Sequence, residues 1–470
     1  MSEIRYIIFS DLHLGAENSI LTHLDPDSTE TDNTEASDVL IKMAQCLREV
    51  VSKNSGTVKP KLVLNGDIIE LALTTTNNAA MAFQRFVENL FPAGEEILFD
   101  REIFYMSGNH DHPLWERSRN HYYFKYLESL KAGEYIKDNS HTTNLFNPEK
   151  IEVPLLNILL HRYEHLKDYN IYAAYPGHAV LSEDKEHCIL ISHGHYVESM
   201  YSLMTSLRLK IFPDRQTPQN LEELESENFG WIDFFWSTLG RSGGVGKDIN
   251  LIYDKLQDPK EVEILIENMS QTFTSGTKNT VKHWIEKKIL HAILELTLGK
   301  LASNERNEPE VQLTPEATEG LKTFLEFYIL NHIKEELGGN VPGQVTFIFG
   351  HTHKPFQRYM DLKGYRNRVK VYNSGGWVVD TWNEQPLHGG SIILVDDNFE
   401  TVALQMYREG KTEVTVEDAN QPAEEPGAFY NQIESAIHMD REPWSGFSKA
   451  VSFEVQRRRK NLALIAESNN

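Results

Sequence analysis

Five short stretches of this 470-residue chain crowd together side chains able to hold a cation or move a proton: Asp11-Leu-His13, Gly66-Asp67, Gly108-Asn-His-Asp111, Ser192-His-Gly-His195 and Gly350-His-Thr-His353. Each follows an apolar, strand-like run, and polar groups at the buried tip of a strand are costly unless something engages them. The donors are imidazoles, carboxylates and one amide, with no thiolate among them. That set suits borderline first-row cations such as Mn, Fe or Zn, whereas carboxylates and amides alone would favour Mg or Ca and thiolates a structural zinc. Gly108 and Gly350 each precede several ligand-type residues where a tight turn is needed. A lone Asp-X-His or Gly-Asp is usually a turn or a satisfied core edge. Five such groups in order, each at a strand end, predict one shared metal site.

The elements that must position these groups can be read from hydrophobic periodicity. Strands are expected over 5–10, 61–65, 102–106, 171–174, 178–181, 188–192 and 345–349. Helices are expected over 36–53, where Val39, Leu40, Met43, Leu47 and Val50 fall at helical spacing, and over 78–90, 115–130 and 154–166. The opening alternation implies a parallel sheet with covering helices, and in such sheets functional groups gather beyond the carboxyl ends of the strands. Asp11, Asp67 and Asn109 occupy that rim. On an extended backbone Asp11 and His13 point the same way while Leu12 faces the core. Residues 17–35 read as an acidic loop. From 197 to 339 helical periods dominate, at 220–239, 261–272, 281–298 and 316–337, so this stretch reads as a helical insertion. Strands at 369–372, 391–395 and 401–406 then complete a second sheet begun at 345–349. An acidic, proline-bearing linker (412–426) leads to a tail with helices near 428–437 and 448–465. The expected division is 1–196 and 341–410 as two parts of one parent domain, 197–340 as its insertion or cap, and 411–470 as linker and tail.

The formal charge of −23 has the wrong sign for a chain that lives on duplex nucleic acid or anionic lipid, where Lys and Arg displace counterions. No apolar run approaches the ~20 residues of a membrane span, and a strand beginning by Arg5 leaves no room for a signal peptide. With Cys46 and Cys188 in apolar runs without partner spacing, a reduced, cytoplasmic protein is expected.

The ordered set Asp-X-His, Gly-Asp, Gly-Asn-His-Asp, His-Gly and Gly-His-X-His resembles the signature of the calcineurin-like metallophosphoesterases, over about residues 4–196 and 341–408. The resemblance implies an α/β fold in which two packed β-sheets are flanked by helices, a four-layer α/β/β/α sandwich. It implies two divalent metal ions, one held by Asp11, His13 and His353 and the other by Asn109, His193 and His351, with Asp67 bridging. It further implies a hydrolase, a phosphatase or phosphodiesterase in which a metal-bridging hydroxide attacks a mono- or diester of a small phosphorylated substrate. His110 would protonate the leaving oxygen and Asp111 would hold the His110 imidazole; the plainer alternative makes His110 a spacer behind the metals. Within Ser192-His-Gly-His195 either imidazole can ligate; the resemblance favours His193, with His195 lining the pocket. A nuclease of the same superfamily and a non-catalytic binding scaffold are the rival functions; the net charge opposes the first, and retention of His110 and all seven candidate ligands opposes the second. Asn373-Ser-Gly-Gly-Trp377 also resembles the UDP-diacylglucosamine pyrophosphohydrolase branch, from which His110 departs because arginine is typical there.

Other features have ready structural readings. Glu70 reads as an exposed carboxylate or a support behind the metals. Arg117, Arg119, Asn120 and His121 either grip phosphate or form a solvated helix face. Gly240-Arg-Ser-Gly-Gly-Val-Gly-Lys247 fails as a phosphate loop, being one residue too long and lacking the Ser/Thr. The aromatic run 229–236 reads as insertion core, and Arg457-Arg-Arg-Lys460 as a solvated face or an intramolecular dock on acidic surface.

Overall fold

The computed structural model describes residues 2–26, 30–56, 58–233, 260, 305, 308–419 and 426–468. The first part of the chain forms β1 (Ile4–Phe9), β2 (Thr22–Leu24), β3 (Thr31–Ala36), α1 (Asp38–Val51), β4 (Lys61–Asn65), α2 (Thr76–Leu90), β5 (Glu102–Met106) and α3 (Pro113–Ser129). There follow β6 (Ile151–Glu152), α4 (Pro154–Leu160), β7 (Asn170–Ala173), β8 (Gly177–Leu181), β9 (His187–Ser192), α5 (Leu203–Ile211) and α6 (Leu221–Asp233). The later part gives α7 (Pro315–Thr323), a π-helical turn (Phe324–Ile329), α8 (Leu330–Glu336) and β10 (Gln344–Phe349). Strands β11 (Phe356–Met360), β12 (Val369–Asn373), β13 (Gly389–Asp396), β14 (Thr401–Arg408) and β15 (Thr415–Glu417) precede α9 (Ala428–Glu434) and α10 (Trp444–Ser468).

Two large sheets result. One runs β15-β14-β13-β1-β4-β5-β7-β6, the other β11-β12-β10-β9-β8. β1, β4, β5 and β7 are mutually parallel, as are β9, β10 and β12. The carboxyl ends of β1, β4 and β5 therefore lie along one edge, and those of β9 and β10 along another. The expected second sheet is corrected here: 391–395 and 401–406 belong to the first sheet, because β13 pairs antiparallel with β1 and β14 with β13. Of the three late strands only β12 joins β10. The supposed acidic loop at 17–35 contains the β2–β3 hairpin, and part of the supposed linker is β15.

Strand alternation sorts side chains between the cores. Ile7, Leu62, Leu64, Ile103 and Leu394 pack with α1, α2, α4 and α10, whereas Ile8, Val63, Ile393 and Val395 meet Ile189, Ile191 and Ile348 of the other sheet. Cys188, Leu190, Phe347 and Val371, from the opposite face of that sheet, pack with Leu221, Leu224, Leu321 and Phe324 from 197–340. Helix α1 illustrates the local logic. The Ser37 hydroxyl accepts from the Leu40 N–H at its start, Asp38 lies in the first turn, and Val39, Leu40, Met43, Leu47 and Val50 form its buried stripe. Both cysteines are buried thiols. Among the described residues no helix is long and apolar enough to cross a membrane. The glycine-rich 240–247 segment, the helical periods at 261–272 and 281–298, and 234–236 of the aromatic run lie outside the described residues.

Candidate metal centre

The loop after β1 runs beside the loop after β4: the N–H groups of Asp11, His13 and Leu14 donate to the carbonyls of Gly66, Asp67 and Ile68. The backbone here is not extended as expected. Asp11 and His13 have φ of 51° and 46°, yet Leu12 is still buried and both polar side chains reach the same centre. Asp67, His351 and His353 also have positive φ, so five of the seven expected ligands occupy a conformation that bulky L-residues avoid. Close approach accounts for the glycines: a Cβ on Gly108 would collide with the Asp67 carboxylate, and one on Gly350 with that of Asp11.

Among the described residues donor atoms converge in three groups, two of them made only of expected ligands, Asp11 with His13 and His353, and Asp67 with His193 and His351; the third joins His13 to Glu70 and His110. His13 Nε2 is 3.3 Å from His353 Nε2, which is 3.5 Å from Asp11 Oδ1. His193 Nε2 is 3.3 Å from His351 Nδ1 and 3.1 Å from Asn109 Oδ1. Asp67 Oδ2 stands between the groups, 3.7 Å from His13 Nε2 and 3.4 Å from His193 Nε2. All seven expected ligands are thus brought together, and all are buried.

The outward nitrogens decide what the inward ones do. His13 Nδ1 meets Glu70 at 2.8 Å, His353 Nδ1 meets Asp380 at 2.7 Å, and His351 Nε2 meets Glu198 at 2.7 Å. An imidazole N–H donating outward to a carboxylate leaves a lone pair on the inward nitrogen. Two pairs of inward nitrogens face each other at 3.3 Å, His13 with His353 and His351 with His193, an arrangement that a cation between each pair would relieve. Charge counting agrees. Asp11, Asp67, Glu70, Asp111 and Glu198 are buried, while the buried ammonium of Lys354 turns to Glu305 (3.4 Å) and the Val311 carbonyl (3.0 Å). Although burial opposes it, the attraction of Asp67 and Asp11 raises the His193 pKa to about 9. Burial also pushes Asp67 up, but His193, His110 and His13 together hold it well below the usual carboxylate range. The donor set fits two divalent cations.

Three carboxylates back the ligand imidazoles from outside the expected ligand set. Glu70, read as exposed, is fully buried and contacts His110 Nδ1 with both oxygens at 3.0 Å as well as His13. Its signal was an acid flanked by Ile68, Ile69, Leu71 and Ala72. Asp380, after the apolar run Trp377-Val-Val, and Glu198, after Tyr196-Val, carry the same weak signal. The expected role of Asp111 is corrected: its carboxylate accepts from the backbone N–H groups of Gly108 (2.7 Å), Ile68 (2.8 Å) and Asp67 (3.3 Å), knotting two motif loops together. Burial and the Asp67 charge raise the Asp111 pKa to about 7. Asp67 Oδ1 in turn accepts from the His110 N–H at 2.8 Å.

His195 is buried among Tyr196 and Tyr201 rather than in either donor group. Arg119 donates to the Asn139 and Ser140 carbonyls and lies over the Phe229 ring, Asn120 accepts from Asn139, and Arg117 and His121 are exposed, so this stretch does not form an anion clamp. Ser374 Oγ lies 2.5 Å from Ser10 Oγ, which donates to Asp11, so the Asn373–Gly376 turn supports the centre from below. Phe229, expected in the core of the insertion, packs instead on His112 and His141 of the first part of the chain and joins the main core.

No family model matches the chain, and no curated protein does. Among solved structures it is similar to a dimetal phosphatase from Danio rerio, with 13% identity and a TM-score of 0.30, over 87% of this chain and 97% of the other.

Proposed function

We propose that this chain is a dinuclear metal-dependent phosphoesterase of the calcineurin-like type. The observation that carries the reading is the set of four inward-facing imidazole nitrogens in two opposed pairs, those of His13, His353 and His351 each backed by a carboxylate and that of His193 by the Asn65 carbonyl. Asp11, His13 and His353 would hold one cation, Asn109, His193 and His351 the other, and Asp67 both. Two such cations supply Lewis-acid polarisation of a phosphoryl oxygen and an acidified water near neutral pH. The chain's own residues do the rest. Glu70, held anionic by His110 and His13 against the penalty of its burial, fixes the His110 proton on Nδ1 and leaves Nε2 to carry a proton to or from a leaving oxygen. Asp111 fixes the turn that presents His110. The three cores are read as the boundaries of a four-layer α/β/β/α sandwich, with 197–340 as a cap that already contributes Glu198 to His351.

The test is metal analysis of purified protein, followed by hydrolysis of p-nitrophenyl phosphate and bis(p-nitrophenyl) phosphate with Mn. Two cations per chain and turnover that vanishes in Asp67→Asn are expected. Full activity in that variant would refute the assignment.

A further inference from the structure

Lys460 is exposed, but the three arginines of the basic run on α10 do not form a solvated face. Arg458, 1% exposed, donates to the carbonyls of Ser19 (2.9 Å) and Thr22 (2.5 Å) and pairs with Glu454. Arg457 donates to the carbonyls of Leu24 (3.4 Å) and Asp25, and Arg459 to Glu409 (2.6 Å) and Glu384 (3.4 Å). A guanidinium presents its donors as a rigid fork, so each arginine ties down acceptors that a lysine would hold loosely.

Those acceptors lie in two segments, one running from Ser19 through β2 and one around Glu384 and Glu409, that lead to the same half of the metal centre. In the first, the Ser19 hydroxyl donates to the Leu12 carbonyl (2.7 Å), between Asp11 and His13, and the Ile20 N–H to the Trp377 carbonyl (2.9 Å). The Trp377 N–H closes that circuit on the Asp11 carbonyl (2.9 Å). In the second, Glu409 accepts from the Gln385 N–H (3.0 Å), and the Glu409 N–H donates to the His388 carbonyl (2.9 Å). His388 Nδ1 is 3.5 Å from the Asp380 oxygen that holds His353. His193 and His351 lean instead on the Asn65 carbonyl and Glu198.

We infer that α10 is a strap whose arginines position the Asp11–His13–His353 half of the centre, so that the affinity of this half alone depends on the tail. The inference rests on the metal-centre reading above. Arg458 and Arg459 act through the two segments and are positioning residues. Because Trp444, Phe447, Val451 and Val455 of α10 belong to the main core, point variants of the full chain are the appropriate probe rather than truncation.

Calorimetric titration with Mn, together with Mn content at limiting metal, tests the strap in wild type, Arg458→Ala, Arg458→Lys and Arg459→Gln. The expected result is two Mn sites in wild type. In Arg458→Ala and Arg459→Gln one site keeps its affinity and the other weakens by at least about tenfold, the scale seen when outer supports of metal ligands are lost. Arg458→Lys recovers part of the loss. Arg459→Gln keeps the test decisive if Arg458→Ala fails to fold. Two sites of unchanged affinity in both variants, or equal weakening of both sites, would overturn the strap while leaving the metal centre intact. A wild-type protein that takes up no Mn would overturn the metal centre and the strap with it.

Discussion

Glu70 touches Nδ1 of both His13 and His110, so a candidate metal ligand and the candidate proton carrier share one support. Replacing it with glutamine keeps the shape and removes the charge, and both metal affinity and turnover should fall about 10–100-fold. His110→Ala separates the two roles. Metal content should survive, while kcat falls about 10²–10⁴-fold with little change in KM, as steady-state kinetics will read. The seven donor residues were legible in the chain because each stands at the end of an apolar run, beside a residue type that turns sharply. Glu70, Asp380 and Glu198 were much less so. A carboxylate supporting an imidazole from 27 to 153 residues away obeys no local spacing, and only its apolar neighbours hint that it is buried.

At the scale of elements, strand positions follow from alternating burial, but sheet membership does not. Strands β12 and β13 look alike as apolar runs. One joins β10 and the other β1 through long-range pairing that neither run encodes alone. The motif loops are equally demanding, as Gly350 shows. In Gly350→Ala the new methyl group meets the Asp11 carboxylate and the Ser10 hydroxyl. We expect that variant to fold yet lose uptake of one of two Mn ions, measured by metal analysis. Helix α6 supplies a pH-dependent contact. It buries Glu225 beside Tyr175 and Tyr196, and burial lifts its carboxyl pKa from 4.5 to about 8. Between those values the folded chain retains a proton that the unfolded chain releases, so this group favours folding at low pH and less so as pH rises through the window. Melting temperatures from pH 5 to 8 should fall less steeply in Glu225→Gln than in wild type.

For the molecule as a whole, the formal charge is −23, and five carboxyl groups, of Asp11, Asp67, Glu70, Asp111 and Glu198, are buried around the candidate centre. Cation binding and folding stability are therefore linked. At Mn near 100 times its dissociation constant each occupied site should add about 2.7 kcal/mol of stability, and EDTA should remove it, read as a shift of the urea midpoint. The central position of β1 has a further consequence. It is paired on one side with β4 and on the other with Gly389–Asp396. β1 must therefore wait, half-zipped, for a partner that follows it far along the chain. His351 and His353 likewise emerge long after Asp11. Until then the nascent polypeptide carries an open sheet edge, and the seven expected ligands cannot all meet before His353 has been made.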